Sequence, residues 1–401
     1  MKILNRPAYT DRIRPFIGNG VIKVLTGQRR VGKSSLLLQL IKDIQKEHPG
    51  ANIIYINREL EEFHFIQNEK DLFSWLKEKI RTDHDNYLFV DEVQDIKGFE
   101  IVFRSLLATD ACDIFCTGSN ANLLSGELAT YLSGRTIEFT IHSLGYAEFL
   151  YFHRFTDSDE ALKLFLKFGG MPHLSHLTLD EETAFEYLRN VYSTILLKDV
   201  VKREGIRNID FLETLVSYLA DNVGSLFSAT NISKFLKSQR VDISSMVIIN
   251  YLKALSNAFI VNKVKRIDIR GLKKFEIGEK YFFEDLGLRN CVGNFNMGND
   301  IHKLIENAVY QHLKFLQYDV YVGKSDAFEI DFVGIRREKK VYVQVSYMMT
   351  DEKTRQREFD QLLKITDNFP KYVVSMDPMI MGDVQGIHHT HLRTFLMKND
   401  L

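Results

Sequence analysis

Thr26-Gly27-Gln28-Arg29-Arg30-Val31-Gly32-Lys33-Ser34-Ser35 satisfies the spacing G-x-x-x-x-G-K-[ST], and its surroundings decide how the chain is read. Val21-Ile22-Lys23-Val24-Leu25 ahead of it reads as a buried strand, and Leu36-Leu37-Leu38-Gln39-Leu40-Ile41 behind it as a helix. A strand before and a helix after are what a phosphate-binding loop needs. Gly27 and Gly32 let the backbone turn tightly, so that successive N–H groups face inward at the positive end of a helix dipole. A polyphosphate fits such a nest, which Gln28, Arg29, Arg30 and Val31 build between the glycines and Ser35 closes. Lys33 would reach the β- and γ-phosphates as a point charge, and the Ser34 hydroxyl would ligate Mg2+.

Downstream, Asn52-Ile53-Ile54-Tyr55-Ile56-Asn57 reads as a second buried strand, followed by an amphipathic helix around Asp71-Leu72-Phe73-Ser74-Trp75-Leu76. Strand and helix alternate, which predicts an α/β fold with a parallel sheet and helices on both faces. Tyr87-Leu88-Phe89-Val90-Asp91-Glu92-Val93-Gln94 has the form of a Walker B strand. At the carboxyl end of a parallel strand, Asp91 would hold the magnesium shell and Glu92 could orient and deprotonate the attacking water. Cys112-Asp113-Ile114-Phe115-Cys116-Thr117-Gly118-Ser119-Asn120 is a further strand ending in small polar residues. Ser119 or Asn120 could hydrogen-bond the γ-phosphate or the water, with Asn120 the sensor candidate; capping a helix at Ala121-Asn122-Leu123-Leu124 is the alternative. Arg135, before the strand Thr136-Ile137-Glu138-Phe139-Thr140-Ile141, is either a transition-state cation acting in cis or from a neighbouring subunit, or a plain surface arginine.

The formal net charge of -1 provides no global positive field, so any nucleic-acid surface must be local. Cys112, Cys116 and Cys291 are too few for a disulfide framework and lack zinc spacing, which suits a reducing cytoplasm. Met1-Lys2-Ile3-Leu4-Asn5-Arg6-Pro7 lacks the apolar core of a signal peptide, and no apolar run is long enough to span a bilayer, so no membrane partner is expected. No N-K-x-D segment of the kind that reads guanine is present, which favours ATP over GTP. A small-molecule kinase would need a substrate acid and lid arginines rather than an acidic pair with a sensor strand.

Gly27-Gln28-Arg29-Arg30-Val31-Gly32-Lys33-Ser34-Ser35, Phe89-Val90-Asp91-Glu92-Val93-Gln94, Thr117-Gly118-Ser119-Asn120 and Leu128-Ala129-Thr130-Tyr131-Leu132-Ser133-Gly134-Arg135 together resemble prokaryotic AAA+-superfamily P-loop ATPases. The similarity is to a group whose AAA-type domain is followed by a partner domain of unknown function. Ser143-Leu144-Gly145-Tyr146-Ala147-Glu148-Phe149-Leu150 and Phe168-Gly169-Gly170-Met171-Pro172 resemble that group's next landmarks. The resemblance implies an additional strand between the P-loop and Walker B strands, ATP as ligand and a cytoplasmic location. It supplies no substrate.

Four regions are expected: a P-loop ATPase domain over 1–145, a helical linker or lid over 146–205, a winged-helix-like domain over 206–290 and a restriction-endonuclease-like domain over 291–401. In the third, helices at about Asp210–Val223, Asn231–Lys237 and Ser244–Ser256 precede a hairpin around Arg270-Gly271. Lys263, Lys265, Arg266, Arg270, Lys273 and Lys274 make that hairpin locally basic and suited to duplex DNA, although such modules also dock proteins. In the fourth, the helix carrying Glu306 is followed by a strand, Glu329-Ile330-Asp331-Phe332-Val333 and Val341-Tyr342-Val343-Gln344-Val345-Ser346. This order resembles a nuclease fold in which a helix glutamate, a strand aspartate and an E-x-K strand gather magnesium. Gln344 is a weaker ligand than glutamate and Ser346 provides no cationic amine, so Glu306, Asp331, Gln344 and Ser346 read as a degenerate site. Lys353, Arg355 and Arg357 either contact phosphate or are solvated, and His388, His389 and His391 lack a metal context. Three functional classes follow: a Mg2+-dependent ATP-hydrolysing switch acting on DNA, a nucleotide-gated scaffold for a protein client, or an ATP-regulated nuclease. Oligomerisation is left open.

Overall fold

Strands β1 (Ile22–Thr26), β2 (Asn52–Asn57), β3 (Asn86–Asp91), β4 (Asp113–Gly118) and β5 (Thr136–Thr140) form a five-stranded sheet in the order β2-β3-β4-β1-β5, every pairing parallel. The computed structural model describes residues 4–121, 123, 132, 134–269, 271, 274–293, 295–325 and 328–401, without the side chains of 274–277. The sheet belongs to a first unit, Met1–His142 with Asn257–Phe259; Ser143–Ser256 with Ile260–Leu401 make up the second.

Parallel strands joined by crossover helices are covered on both faces, which is why their sequences read as continuous apolar runs. Helices α1 (Pro7–Ile13), α2 (Lys33–Glu47), α3 (Glu69–Lys79) and α4 (Phe99–Ala108) accompany the sheet. Ile22, Val24, Ile54, Ile56, Leu88, Val90, Ile114 and Cys116 share a core with Leu72, Leu76, Val102 and Phe103. Each such side chain contributes about 1.5–3 kcal/mol on burial. On alternate positions of the strands, Phe89 and Phe115 stack with ring centroids 4.5 Å apart. Lys23, a charged residue inside β1, is fully buried, pairs with Asp113 and lies 4.2 Å from the Phe115 ring centroid. Burial lowers its pKa against the pull of Asp113. The strand between the P-loop and acidic strands is present as β4, whose Gly118 pairs with Thr26 and whose Cys116 pairs with Val90. The carboxyl ends of β1, β3 and β4 are therefore adjacent.

The second unit opens with α5 (Tyr146–His153), α6 (Asp159–Phe168) and α7 (Glu181–Thr194), which continues as a π-helical turn over Ile195–Lys202. The two landmarks after the P-loop domain meet here, because Leu144 N donates to Gly170 O at 2.8 Å and Gly170 N to Asp285 Oδ2 at 2.8 Å. Next come α8 (Ile209–Asp221), β6 (Leu226–Phe227), α9 (Ala229–Ser238), α10 (Ser245–Asn257), β7 (Val261–Asp268) and β8 (Lys274–Phe283). Ser228 caps α9 by accepting from Asn231 N, and Ser244 accepts from Val247 N at the start of α10. This is the order of three helices and a hairpin expected from sequence, with β6 added and β8 running past Ile277.

After α11 (Leu286–Val292), the remainder consists of α12 (Met297–Phe315), β9 (Asp319–Lys324), β10 (Glu329–Arg336), β11 (Lys339–Val345), α13 (Glu352–Leu363), β12 (Lys371–Ser375), β13 (Gly382–Val384), β14 (Ile387–His391) and α14 (Leu392–Leu396). β9, β10 and β11 form an antiparallel meander, and β12 lies parallel to β11. The hairpin and these strands form one nine-stranded sheet, β13-β14-β12-β11-β10-β9-β7-β8-β6. The sheet thus runs across the boundary expected at 290/291, because the edge of β7 is paired in parallel with β9, Arg266 opposite Val322 and Asp268 opposite Lys324. An unpaired strand edge needs partners for its N–H and C=O groups, and a neighbour more than fifty residues away leaves no local sequence signal. No helix among the described residues is long and apolar enough to cross a membrane.

A pH effect follows from this interior. His312 is buried beside the Phe395 ring, and burial lowers its pKa from 6.5 to about 4. The unfolded chain binds the proton more readily, so the stability from neutral His312 is present above pH 6.5 and is lost as pH falls toward about 4. Lowering pH from 7 to 5 should cost about 2 kcal/mol from this group. Urea unfolding at both pH values, in wild type and His312→Gln, should show a smaller pH difference in the variant.

Candidate active site

The turn from β1 into α2 depends on Gly27. Its φ is +142°, and a Cβ there would stand 2.2 Å from the Ile141 carbonyl oxygen. Behind the loop, the buried Arg6 guanidinium donates to Val31 O at 3.0 Å and to His142 O at 3.1 Å. Arg6 was not legible as a site residue, since nothing in its own neighbourhood marks it as the brace of a loop that follows much later. Gln28 contributes backbone only: its buried side chain donates Nε2–H to Phe259 O at 2.6 Å. Arg29 pairs with Glu59 at 3.1 Å, and Arg30 is exposed with φ +73°.

Lys33 is 4% exposed at the first turn of α2, and its Nζ donates to Gly27 O and Gln28 O, each at 3.0 Å. The same nitrogen lies 3.9 Å from Glu92 Oε1. Asp91 is the last residue of β3, and Glu92 leaves the strand in a left-handed turn with φ +55°. Thr117 joins the two acids, donating Oγ1–H to Asp91 Oδ1 at 2.5 Å and accepting from Glu92 N at 2.9 Å. It is a further residue missed from sequence, and its position one strand-width from the acids was the available signal. Ser119 Oγ donates to Glu92 Oε2 at 3.1 Å, and the Gln94 amide donates to the same oxygen.

The two carboxyls are held differently. Burial pushes Asp91 above the usual carboxylate range although Ser34 and Thr117 donate to it. Burial also acts on Glu92, but the charges of Lys33 and Arg29, with hydrogen bonds from Gln94 and Ser119, outweigh it and leave Glu92 below that range. Lys33, Ser34, Asp91 and Glu92 therefore converge at one mouth. Ser119 touches Glu92; Asn120 follows it, its carbonyl accepting from Leu123 N at 3.2 Å. Asn122 and Leu124, on which the helix-cap alternative rests, lie outside the described residues.

Arg135 is exposed and sits before β5, where its carbonyl accepts from Ile22 N at 2.8 Å. Ile22 opens β1 and the P-loop leaves its other end after Thr26. Arg135 thus lies at the amino end of the parallel strands, about 15 Å from its own loop at about 3.3 Å per residue. That is farther than an arginine side chain reaches.

The basic hairpin carries less free charge than its sequence suggested. Lys263 pairs with Glu279 at 2.5 Å and Arg266 with Glu329 at 3.3 Å. Lys265 is exposed; Arg270 and Lys273 lie outside the described residues, as does the Lys274 side chain. On α13, Arg355 pairs with Glu352 and Arg357 with Glu358. Glu306, Asp331 and Gln344 lie on α12, β10 and β11, and Ser346 follows β11 with its N–H bonded to Val374 O. Among the described residues no group of three or more His, Cys, Asp or Glu side chains is arranged to hold a metal ion.

Comparison with known proteins gives matches to a family model described as an AAA domain over residues 19–150 and to a domain of unknown function over residues 159–299. An uncharacterized protein of Haemophilus influenzae is 35% identical over 99% of both chains, and one of Methanocaldococcus jannaschii is 31% identical over 84% of this chain and 77% of its own. Among solved structures, AMPPCP-bound DnaA from Aquifex aeolicus aligns with 64% of this chain and 89% of its own at 15% identity and a TM-score of 0.34. The Aeropyrum pernix ORC1 protein in complex with DNA aligns with 73% and 93% at 12% identity and a TM-score of 0.33. With its phosphate loop, parallel sheet and AAA-domain match, the chain belongs to the AAA+ superfamily of P-loop proteins, in one family with the Haemophilus and Methanocaldococcus proteins.

Proposed function

We propose that the protein binds ATP with Mg2+ and hydrolyses it, acting as a molecular switch. The observation that supports this most is the state of Glu92: a carboxylate kept below its usual pKa, 3.9 Å from Lys33 and oriented by Ser119 and Gln94 at the mouth of the loop. A side chain so held stays ionised at neutral pH and can accept a proton from water. Lys33, anchored on two loop carbonyls, brings its charge to the phosphate oxygens. Ser34 and Asp91, already hydrogen-bonded to each other, suit a hard cation bound with the nucleotide, which when present neutralises phosphate charge. Thr117 keeps the two acids in register, so a change at the phosphate reaches β4. Asn120, beside Ser119, senses that change, and Arg135, at the strand end away from its own loop, acts on a neighbouring copy's nucleotide.

ATP turnover measured across protein concentration, with and without duplex DNA, tests this. Specific activity should rise with concentration, and equimolar Arg135→Ala and Glu92→Gln, each inactive alone, should regain activity when mixed. ATP binding without turnover in any condition would overturn the hydrolytic switch.

A second reading, a nucleotide-gated scaffold for a protein client, is favoured by α10. Its outer surface exposes Met246 (63%), Val247 (37%) and Ile249 (49%), where a base-reading helix carries polar and cationic side chains. Together with the paired Lys263 and Arg266, this predicts weak duplex binding with a shallow salt dependence. Fluorescence anisotropy at several salt concentrations separates the readings: tight, steeply salt-dependent binding supports DNA as the partner.

A further inference from the structure

The resemblance of residues 291–401 to nuclease folds implies a divalent metal at Glu306, Asp331 and Gln344, and the residues present do not fit one. Lys280 of β8, 6% exposed, places its ammonium 3.5 Å from Glu306 Oε1 and 3.2 Å from Glu329 Oε1. Arg266 of β7 occupies the other oxygen of Glu329 at 3.3 Å. Gln344 is spent on both sides, its Nε2–H donating to Glu358 Oε2 at 2.9 Å and its Oε1 accepting from Asp331 N at 3.3 Å. Asp331 Oδ2 accepts from Val345 N at 2.8 Å, and Glu358 Oε1 is held by Arg357 at 2.6 Å. A divalent ion such as Mg2+ needs several free oxygen ligands in a near-octahedral shell. Here the positive charge is already supplied by a side chain.

We infer that Lys280 takes the place of the divalent cation, making this acidic centre an internal ion-pair lock that fastens the β7–β8 hairpin to α12 and β10. The lysine reaches the centre from an unexpected strand. β8 is irregular opposite Val264–Arg266, and Gly278, with φ +83°, lies where a Cβ would stand 2.9 Å from Arg266 Nη1. The strand resumes beyond it and delivers Lys280. This lock is independent of the nucleotide site and removes the basis for metal-dependent nuclease activity.

The test is Mn2+ titration of the full-length, nucleotide-free chain, followed by the electron paramagnetic resonance of free Mn2+. All proteins carry Asp91→Asn, so that the P-loop unit contributes no site. The parent should bind no Mn2+ stoichiometrically; adding Lys280→Met should create one site per chain, lost again with Asp331→Asn. Stoichiometric Mn2+ in the parent that disappears with Asp331→Asn would overturn the inference, as would a folded Lys280→Met variant that gains none. The lock is tested separately by thermal unfolding. Lys280→Met leaves carboxylates buried without their cation and should lower Tm, and Lys280→Met with Glu306→Gln should regain part of the loss. No regain would show that these charges do not act as a pair.

Discussion

Lys33→Ala should abolish nucleotide binding while leaving the fold intact. The lysine's charge is fixed at the loop by two backbone carbonyls, those of Gly27 and Gln28. Charge-assisted contacts of this kind are worth about 1.5–3 kcal/mol each, so losing two or more phosphate contacts weakens binding by a factor of hundreds or greater. The substitution has a second effect. Lys33 is the largest influence holding the Glu92 pKa down against burial, and without it the glutamate shifts upward toward its protonated form. Calorimetric titration with ATP, with circular dichroism to verify folding, checks the first effect. Tight ATP binding by the folded variant would remove Lys33 from the phosphate site.

Glu92→Gln should separate binding from chemistry. The amide is close in shape and can keep partners among Ser119, Gln94 and the loop, but it cannot accept a proton from water. Loss of a positioned general base lowers turnover by about 10²–10⁴. Affinity should change far less, because Lys33, Ser34 and Asp91 are untouched. Radiolabelled ATP should therefore remain unhydrolysed on the variant through gel filtration, while wild type releases ADP. Unchanged turnover would mean that Glu92 is not the base. Thr117, which holds both acids, is then the place to look for what positions the water.

Much of the P-loop unit was legible because its signals are local. The glycine spacing of 27–34, the acidic end of 87–92 and the apolar strands between them sit in contiguous residues, and the structure places β2 over Asn52–Asn57 as read. The caps Ser228 and Ser244 are local in the same sense, since a hydroxyl accepting from a backbone N–H three residues on is a property of a short segment. Arg6, Thr117 and Lys280 were not. Each acts through a partner brought near by folding: Val31 and His142 for Arg6, Asp91 and Glu92 for Thr117, Glu306 and Glu329 for Lys280. Lys280 was also hidden by Gly278, which locally resembles the end of a strand.

The charge count of the hairpin shows the same limit from the opposite direction. Sequence reports how many cations a segment holds, whereas their availability depends on carboxylates from other segments, Glu279 for Lys263 and Glu329 for Arg266. The position of Arg135 is likewise decided by pairing: β1 with β5 in parallel puts it at the strand end away from its own loop.

By itself, the sequence determined that this protein carries a phosphate loop in a parallel α/β unit with an acidic pair at a strand end, because those features follow from residue spacing and backbone periodicity. Only the tertiary structure decided that the hairpin and the C-terminal strands share one sheet, that Arg135 lies at the strand end away from its own loop, and that a lysine fills the nuclease-like centre. The physical reason is range: hydrogen-bonding periodicity acts over a few residues, whereas strand pairing, burial and charge compensation depend on groups that only folding brings within a few ångströms.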